Sequence, residues 1–238
     1  MKSIFSVVVS TIALLSAVDA AVTSDPGAIY SVAFSHQDLG YANYPHVLRT
    51  ENRLENIFRS VRYAEQTKAW PDASKYRYQH EGSEPFPFFL SQCTPAEREQ
   101  LTSYMKEGRI SVGASFTTVL TDRLNPESAA RLFYLSNRHL PDMLGTPPGK
   151  VVIINDVTGI SWSLPIYCKA AGVPYLSNGH NACGRMNELE SAPIVRWKGA
   201  GGSGDVDVFS ARYNYHAVSK PQQLPAVAVR SGKAITPN

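Results

Sequence analysis

Residues 150–176 read KVVIINDVTGISWSLPIYCKAAGVPYL and contain a clear strand–helix–strand pattern. The run Lys150-Val151-Val152-Ile153-Ile154 predicts a buried strand, because short apolar runs rich in β-branched residues favour strands. A helix is predicted from Leu164 to Gly172, and Pro174-Tyr175-Leu176 predicts the next strand. A strand joined through a helix to a second strand indicates a parallel pair with the helix packed on one face.

The same alternation extends through the first half of the chain. Predicted strands lie at residues 28–34, 76–78 and 110–113, and predicted helices begin near Val47, at Thr94 and at Asn125. Thr94-Pro95-Ala96-Glu97 is a capping box with proline at the first helical position, and Gly108 marks the end of that helix. The chain therefore predicts an α/β fold with helices outside a parallel sheet, either a β/α barrel or an open doubly wound sheet.

The pattern changes after Pro193. Ile194-Val195-Arg196-Trp197 and Val206-Asp207-Val208-Phe209 flank the Gly-rich loop 199–204, which predicts a β-hairpin. No helical pattern follows that loop, so it is not expected to bind phosphate as a P-loop does. The last segment, 219–238, carries several prolines and is predicted to be an irregular tail.

The composition excludes several classes of protein. Of the 238 residues, 43% are hydrophobic and 18% are charged, which is enough apolar material for a buried core and excludes a disordered or collagen-like chain. Lys and Arg total 23 against 20 Asp and Glu, a formal net charge of +3 with no basic block. We therefore expect no nucleic-acid partner.

Residues 1–20 have the features of a secretory signal peptide. Lys2 precedes a short apolar stretch that ends in Val18-Asp19-Ala20, where cleavage is expected near Ala20. The alternative is a membrane anchor, but serines interrupt the stretch and it falls short of the roughly 20 apolar residues of a transmembrane helix. The mature chain is expected to be secreted or periplasmic, with no membrane span.

The three cysteines, Cys93, Cys168 and Cys183, allow at most one disulfide and leave a thiol over. The spacing from Cys168 to Cys183 fits no zinc knuckle. Buried, unpaired cysteines are the simpler interpretation, and the disulfide state stays open.

The chemically most informative run is Phe34-Ser35-His36-Gln37-Asp38-Leu39-Gly40-Tyr41, at the carboxyl end of the first predicted strand. Functional sites of parallel α/β sheets form at that end. Residues i and i+2 of an extended chain point to the same side, so His36 and Asp38 could face one divalent cation such as Zn²⁺. Tyr41 could offer an aromatic face to a sugar. The alternative is a structural His at a strand end with Asp38 as a cap.

Other polar residues follow predicted strands in the same way. Asp122 lies beyond the strand at residues 110–113 and is either a site residue or a turn residue. Glu127 behind it suits the first turn of a helix, where the dipole favours acids. Asp156 either reaches a site or caps a turn. Glu81 and His180 also follow strands, and each suits either a pocket wall or a solvated loop.

These residues resemble the motifs of a known family. Ser35-His36-Gln37-Asp38-Leu39-Gly40-Tyr41 is similar to the H-S-H-N-D-P-G-W signature of glycoside hydrolase family 38, the zinc-dependent α-mannosidases. Residues 108–114 and 126–131 resemble the strand and helix around that family's nucleophile, and residues 155–172 resemble its I-D-P-F-G-H-S run. The resemblance covers roughly residues 28–217 in the right order. The chain departs from the family pattern at Phe34, Leu39, Tyr41 and Ile160.

The resemblance implies a retaining α-mannosidase-type domain that acts on α-mannosides with Zn²⁺. It implies His36 and Asp38 as zinc ligands and Asp122 as the catalytic nucleophile, and substrate contacts are assigned to Tyr41, Glu81, Asp156 and His180. Residues 21–218 would form a partial N-terminal catalytic domain, an incomplete parallel β/α barrel with a late β-hairpin. Family members continue further, so the missing remainder of the catalytic domain is an expected partner, and this chain alone could be inactive.

Two alternatives remain open from the sequence. A metal-dependent carbohydrate deacetylase also places His and Asp at strand ends around zinc, and it would release acetate rather than mannose. A secreted sugar-binding or decaying fragment would bind sugar or zinc without hydrolysis.

Overall fold

The computed structural model describes residues 32–36, 43–48, 50, 54–157, 159–180 and 194–212. The predicted signal peptide 1–20 and the predicted tail 219–238 lie outside these residues, as does Cys183. In the part of the chain that is described, no helix is long and apolar enough to cross a membrane.

Short strands alternate with helices along the described chain, which confirms the α/β class with parallel sheets. The strands are β1 (Ala33–Ser35), β2 (Tyr78–His80), β3 (Ile110–Val112), β4 (Val151–Asn155), β5 (Tyr175–His180), β6 (Ile194–Lys198) and β7 (Asp205–Arg212). The α-helices are α1 (Pro45–Val47), α2 (Leu54–Gln66), α3 (Phe86–Gln92), α4 (Pro95–Lys106), α5 (Pro126–Tyr134), α6 (Leu140–Leu144) and α7 (Leu164–Ala170), and a π-helix, Leu135–His139, joins α5 to α6.

Two groups of parallel strands carry the fold within the described residues. One sheet has the order β1-β2-β3 and the other has the order β4-β5-β7-β6. All of these pairs are parallel except β6 with β7, which are antiparallel across the loop 199–204. The backbone N–H of Ala114, just after β3, donates to the carbonyl of Val151 at 2.8 Å, so the two sheets meet at this point. The carboxyl ends of β1 to β5 therefore follow one another along one edge.

The helices cover one face of each sheet with an apolar core. Helix α2 buries Ile57, Val61 and Ala64 against Ile110 and Val112 of β3. A second core packs α5 and α7 on β4, β5 and β7, and includes Leu132, Cys168, Val152, Leu176 and Val208. Burial of these side chains is the main source of stability, because each fully buried aliphatic side chain contributes roughly 1.5–3 kcal/mol.

The helix starts agree with the signals in the sequence. Thr94 accepts from the Glu97 backbone N–H while the Glu97 side chain accepts from the Thr94 backbone N–H, so the predicted capping box is present. The side chain of Asn125 accepts from Ser128 N–H and begins α5. Gly108 takes a positive φ of 70° beyond α4, a conformation that glycine adopts without strain.

Some boundaries differ from the predictions. The strand predicted at 76–78 lies at Tyr78–His80, because Tyr78 and His80 are the residues that face the helices and are buried. The strand predicted at 174–176 extends to His180, since its backbone pairs with both β4 and β7. Helix α3 was not predicted; its prolines, Pro85 and Pro87, lie at its start, where the missing N–H is tolerated.

Candidate functional site

The pairing of β1 with β2 brings a histidine and a carboxylate together at the carboxyl edge of the sheet. Ser35 is in register with His80, so the next residues along each strand, His36 and Glu81, are neighbours. His36 Nδ1 lies 2.8 Å from Oε1 and 3.0 Å from Oε2 of Glu81. Both side chains are buried, at 4% and 8% exposure. Neither side chain is therefore a solvated surface group.

A second carboxylate faces the other nitrogen of the same ring. Asp156 Oδ2 lies 3.9 Å from His36 Nε2, and this carboxylate is 19% exposed. Asp156 directly follows β4 and has φ = 57°, the left-handed region that Asp tolerates better than most residues. Its backbone N–H donates to the carbonyl of Gly179 at 2.8 Å, which fixes the turn. The edge of the sheet thus holds one imidazole between two carboxyl groups.

Asp122 lies against the loop that begins at Asp156. It belongs to a 3₁₀ turn, Thr121–Arg123, and its side chain is exposed. A Cβ added to Gly159 would lie 2.5 Å from Oδ1 of Asp122, so this carboxylate occupies the space above Gly159. The hydroxyl of Thr121 accepts from Ser161 N–H at 2.9 Å and holds the two loops together. The Thr121–Arg123 turn thus packs against the loop that Asp156 begins, and the Asp122 side chain remains exposed.

Glu127 has a local structural role. It lies in the first turn of α5, and its carboxylate accepts from Arg131 Nε at 2.7 Å in an ion pair exposed on both sides. An exposed pair of this kind contributes little to stability. Glu127 is therefore a suitable control position for experiments on Asp122.

Three of the candidate residues have no described side chain. Asp38 and Tyr41 lie outside the described residues, so their predicted roles stay predictions. His180 is the last residue of β5 and pairs with Arg212 of β7, but only its backbone is described. The Gly-rich loop 199–204 contains a 3₁₀ turn and leads directly into β7.

His80 lies behind the site and was not singled out in the sequence. Its ring is 5% exposed, lies 3.3 Å from the Ser60 hydroxyl, and packs edge-on against Tyr78 and Phe86. Burial lowers the pKa of His80 to about 3, because the charged ring would lose its hydration there. Burial likewise raises the pKa of Tyr78 to about 12. His80 is therefore a neutral part of the core that supports β2.

The donors in the described part of the chain fit a zinc ion in part. Metal-bound histidines generally donate their second ring N–H to a carboxylate, which is the relation of His36 Nδ1 to Glu81. The other nitrogen, Nε2, then faces a carboxylate oxygen, and nitrogen and carboxylate donors suit Zn²⁺. Among the described residues, no group of three or more His, Cys, Asp and Glu side chains is arranged to hold a metal.

The family described as Glycosyl hydrolases family 38 N-terminal domain matches this chain over residues 26–232. The chain belongs to glycosyl hydrolase family 38. This confirms the resemblance found in the sequence and identifies a glycoside hydrolase domain. Comparison with curated proteins gives no match.

Solved structures share the fold of this family 38 chain. An alpha-mannosidase from Enterococcus faecalis V583 matches with a TM-score of 0.62 and 14% identity, over 86% of this chain and 22% of that one. A family 38 protein from Enterococcus faecalis matches with a TM-score of 0.56 and 17% identity, over 86% and 21%. A 4-alpha-glucanotransferase from Thermococcus litoralis matches with 0.55 and 16%, over 82% and 29%. The family 38 chain therefore spans less than a third of the length of each structure, and at these identities the likeness shows the fold alone.

The sequence identified the residues of this candidate site one by one but did not predict their contacts. His36, Glu81 and Asp156 were each noted because each follows a strand. The carboxylate of Glu81, which is predicted to contact substrate, lies on His36 and is buried, and its role toward substrate stays a prediction. The signal that could have paired them is the register of β1 with β2.

Proposed function

We propose that this family 38 domain is a retaining glycosidase that acts on α-mannosides with the help of Zn²⁺. The observation that carries the proposal is the buried His36 ring, with Glu81 on Nδ1 and Asp156 facing Nε2 at the carboxyl edge of a parallel sheet. An imidazole between carboxyl groups at this edge suits metal-assisted chemistry better than a purely structural role, because the edge is where sites of such sheets form.

His36 and Asp38 would hold the ion, as the resemblance implies, and Asp156 is a further carboxylate in a position to face it. When bound, Zn²⁺ would act as a Lewis acid that coordinates neighbouring hydroxyls of the sugar and favours a distorted sugar ring. The protein keeps the His36 ring in a fixed orientation through Glu81 and excludes water from it by burial.

We assign the nucleophilic carboxylate to Asp122. Its exposed side chain, held against Gly159 on the loop that begins at Asp156, can attack the anomeric carbon of a bound sugar. The bond from that carbon to the leaving oxygen breaks, a second carboxylic acid protonates that oxygen, and water then hydrolyses the ester on Asp122. Tyr41, Asp156 and His180 would contact the sugar along the same edge.

We also propose that the parallel strands form one arc of a β/α barrel. The helices cover one face of the sheets, whereas Phe34, Tyr175 and Phe209 point to the other face and are about half exposed. We infer further, from the N-terminal sequence, that the chain is exported. The rest of a family 38 catalytic domain, if supplied by another segment, would meet this arc at its exposed face.

Hydrolysis of an aryl α-mannoside by the zinc-loaded chain tests the function. We expect mannose to be released with retained configuration, and Asp122→Asn to lower the rate by roughly 10³-fold or more. Glu127→Gln, a matched loss of charge five residues away in an exposed ion pair, should keep the wild-type rate.

Other results would identify a different function. Release of acetate from an acetylated glycan would establish the deacetylase alternative. Binding of zinc or sugar with no hydrolysis would establish a non-catalytic sugar-binding chain. Full activity of Asp122→Asn would remove Asp122 from the nucleophile role and leave the rest of the proposal standing.

A further inference from the structure

Thr121 joins the turn that carries Asp122 to the loop that carries Gly159. Thr121 is buried, at 6% exposure, and its hydroxyl accepts from the backbone N–H of Ser161 at 2.9 Å. Ser161 is itself part of a tight turn, because its carbonyl accepts from Leu164 N–H at 3.0 Å. Each segment is therefore folded locally, and the hydrogen bond from Ser161 to Thr121 connects the two.

The position of the Asp122 carboxylate depends on the backbone of its turn. Within the residues that the structure describes, no hydrogen bond or ion pair holds this carboxylate. It lies against Gly159, where an added Cβ would meet Oδ1 at 2.5 Å. Thr121 directly precedes Asp122, and Ser161 follows Gly159 closely along the chain. The hydrogen bond between Thr121 and Ser161 therefore acts next to the carboxylate and next to the glycine that it touches.

Close packing alone does not fix the turn against the loop. A cavity of about 70 Å³ borders both segments, and it is lined by Thr121 and Ser161 together with apolar side chains of α5 and α7, among them Phe133 and Leu164. Unfilled space lets the turn shift without the steric overlap that a packed core would impose. A hydrogen bond, by contrast, restrains both distance and direction. The Thr121 hydroxyl is therefore the group that determines where the turn lies along the loop.

We propose that Thr121 is a positioning residue for Asp122: its hydroxyl, bound to Ser161 N–H, holds the Asp122 carboxylate over Gly159. The catalytic part of this inference rests on the proposed function, whereas the position of Asp122 can be measured without substrate or metal. Misplacement of a reacting group by about 1 Å can lower a rate by roughly 10²-fold. Loss of the hydroxyl should therefore lower kcat by roughly 10- to 100-fold and leave KM unchanged.

Three variants separate the hydroxyl from the shape of the side chain. Thr121→Val removes the hydroxyl and keeps the branched shape, whereas Thr121→Ser keeps the hydroxyl. Thr118→Val is the matched control, because the half-buried Thr118 hydroxyl donates to the carbonyl of Ile153 at 3.4 Å and does not join the turn to the loop. If Thr121→Val fails to fold, Thr121→Ala removes the same hydroxyl with a smaller side chain beside the cavity.

The first measurement is NMR of the full, metal-free chain. It records the nuclear Overhauser effect between the Hβ protons of Asp122 and the Hα protons of Gly159, and the exchange rate of the Ser161 amide hydrogen. We expect wild type, Thr121→Ser and Thr118→Val to agree in both. Thr121→Val should show a weaker Overhauser effect and roughly 10-fold faster exchange of the Ser161 amide.

The second measurement is the steady-state kinetics of the zinc-loaded chain on an aryl α-mannoside. We expect Thr121→Val to lower kcat at constant KM and Thr121→Ser to restore it, a rescue that a general loss of stability would not give. An unchanged Overhauser effect in Thr121→Val, or an equal loss in Thr121→Ser, overturns the inference. Wild-type kcat in Thr121→Val overturns its catalytic part. A wild type without turnover contradicts the proposed function, and the NMR comparison still decides whether Thr121 positions Asp122.

Discussion

The buried, neutral His80 should make the stability of this domain fall as the solution is acidified. The pKa of His80 is lowered from 6.5 to about 3 in the folded chain, because its ring is buried against Tyr78, Phe86 and Ser60. The unfolded chain therefore binds a proton below about pH 6.5, whereas the folded chain does not until about pH 3. The neutral His80 ring therefore stabilises the folded chain fully above about pH 6.5, and this contribution is lost as the pH falls toward about 3.

The loss in the free energy of unfolding follows from the difference between the two pKa values of His80. Between the two pKa values, the free energy of unfolding falls by about 1.4 kcal/mol per pH unit. From about pH 7 to about pH 5 the loss from His80 is about 2 kcal/mol, since the first half-unit lies above the unfolded pKa. Carboxylates with lowered pKa values, such as Glu65 and Glu97, lose their contribution only at lower pH. The contribution of His80 is separated from that of the other histidines by comparison with a variant that lacks it.

The measurement is urea unfolding of the wild type and His80→Phe at both pH values. Phenylalanine keeps the ring contacts but does not titrate, and Ser60 keeps its hydrogen bond to the carbonyl of Ile57. We expect the pH-dependent loss to be about 2 kcal/mol smaller in His80→Phe. His139→Gln, which removes an exposed histidine, is the control and should keep the wild-type pH dependence. The same pH dependence in wild type and His80→Phe would show that His80 is protonated in the folded chain.

Two further changes test the fold and the site. Arg109→Met should lower the free energy of unfolding by about 2–3 kcal/mol in urea titrations. The buried guanidinium donates to the carbonyl of Ala64 and the hydroxyl of Thr67, and both acceptors would lose this donor. A loss below about 0.5 kcal/mol would mean that water takes the place of the guanidinium. Gly159→Ala should lower turnover by roughly 10²-fold while the melting temperature stays near the wild-type value, because the new Cβ displaces the Asp122 carboxylate rather than backbone. Unchanged turnover with intact fold would mean that this position of Asp122 is not the reactive one.

The sequence predicted the local elements of this fold better than their arrangement. The capping box at Thr94 and the strand predicted at residues 150–154 are determined by a few neighbouring residues, and both are present, the strand at Val151–Asn155. The π-helix Leu135–His139 was not predicted, since it extends α5 directly into α6 without a break in the apolar pattern. The insertion of β7 between β5 and β6 depends on pairing between distant residues, which periodicity does not encode.

For the candidate site, too, the sequence predicted the individual residues better than their arrangement. His36, Glu81 and Asp156 could each be picked out, because each follows a strand at the edge where sites form. Their contacts could not, since the distance from His36 to Glu81 depends on the register of β1 with β2, and the position of Asp156 depends on a left-handed backbone conformation. The space that Gly159 leaves for Asp122 is likewise visible only when the two loops are packed together.

The place of β7 has a consequence for how the chain is completed during translation. β5 leaves the ribosome before β6 and β7, yet its outer hydrogen-bonding edge is taken only by β7, the last of the three. Until residue 212 has emerged, that edge stays unpaired and can join a neighbouring nascent chain. We therefore expect the sheet of β4 to β7 to fold late, in the single step in which β7 pairs with β5.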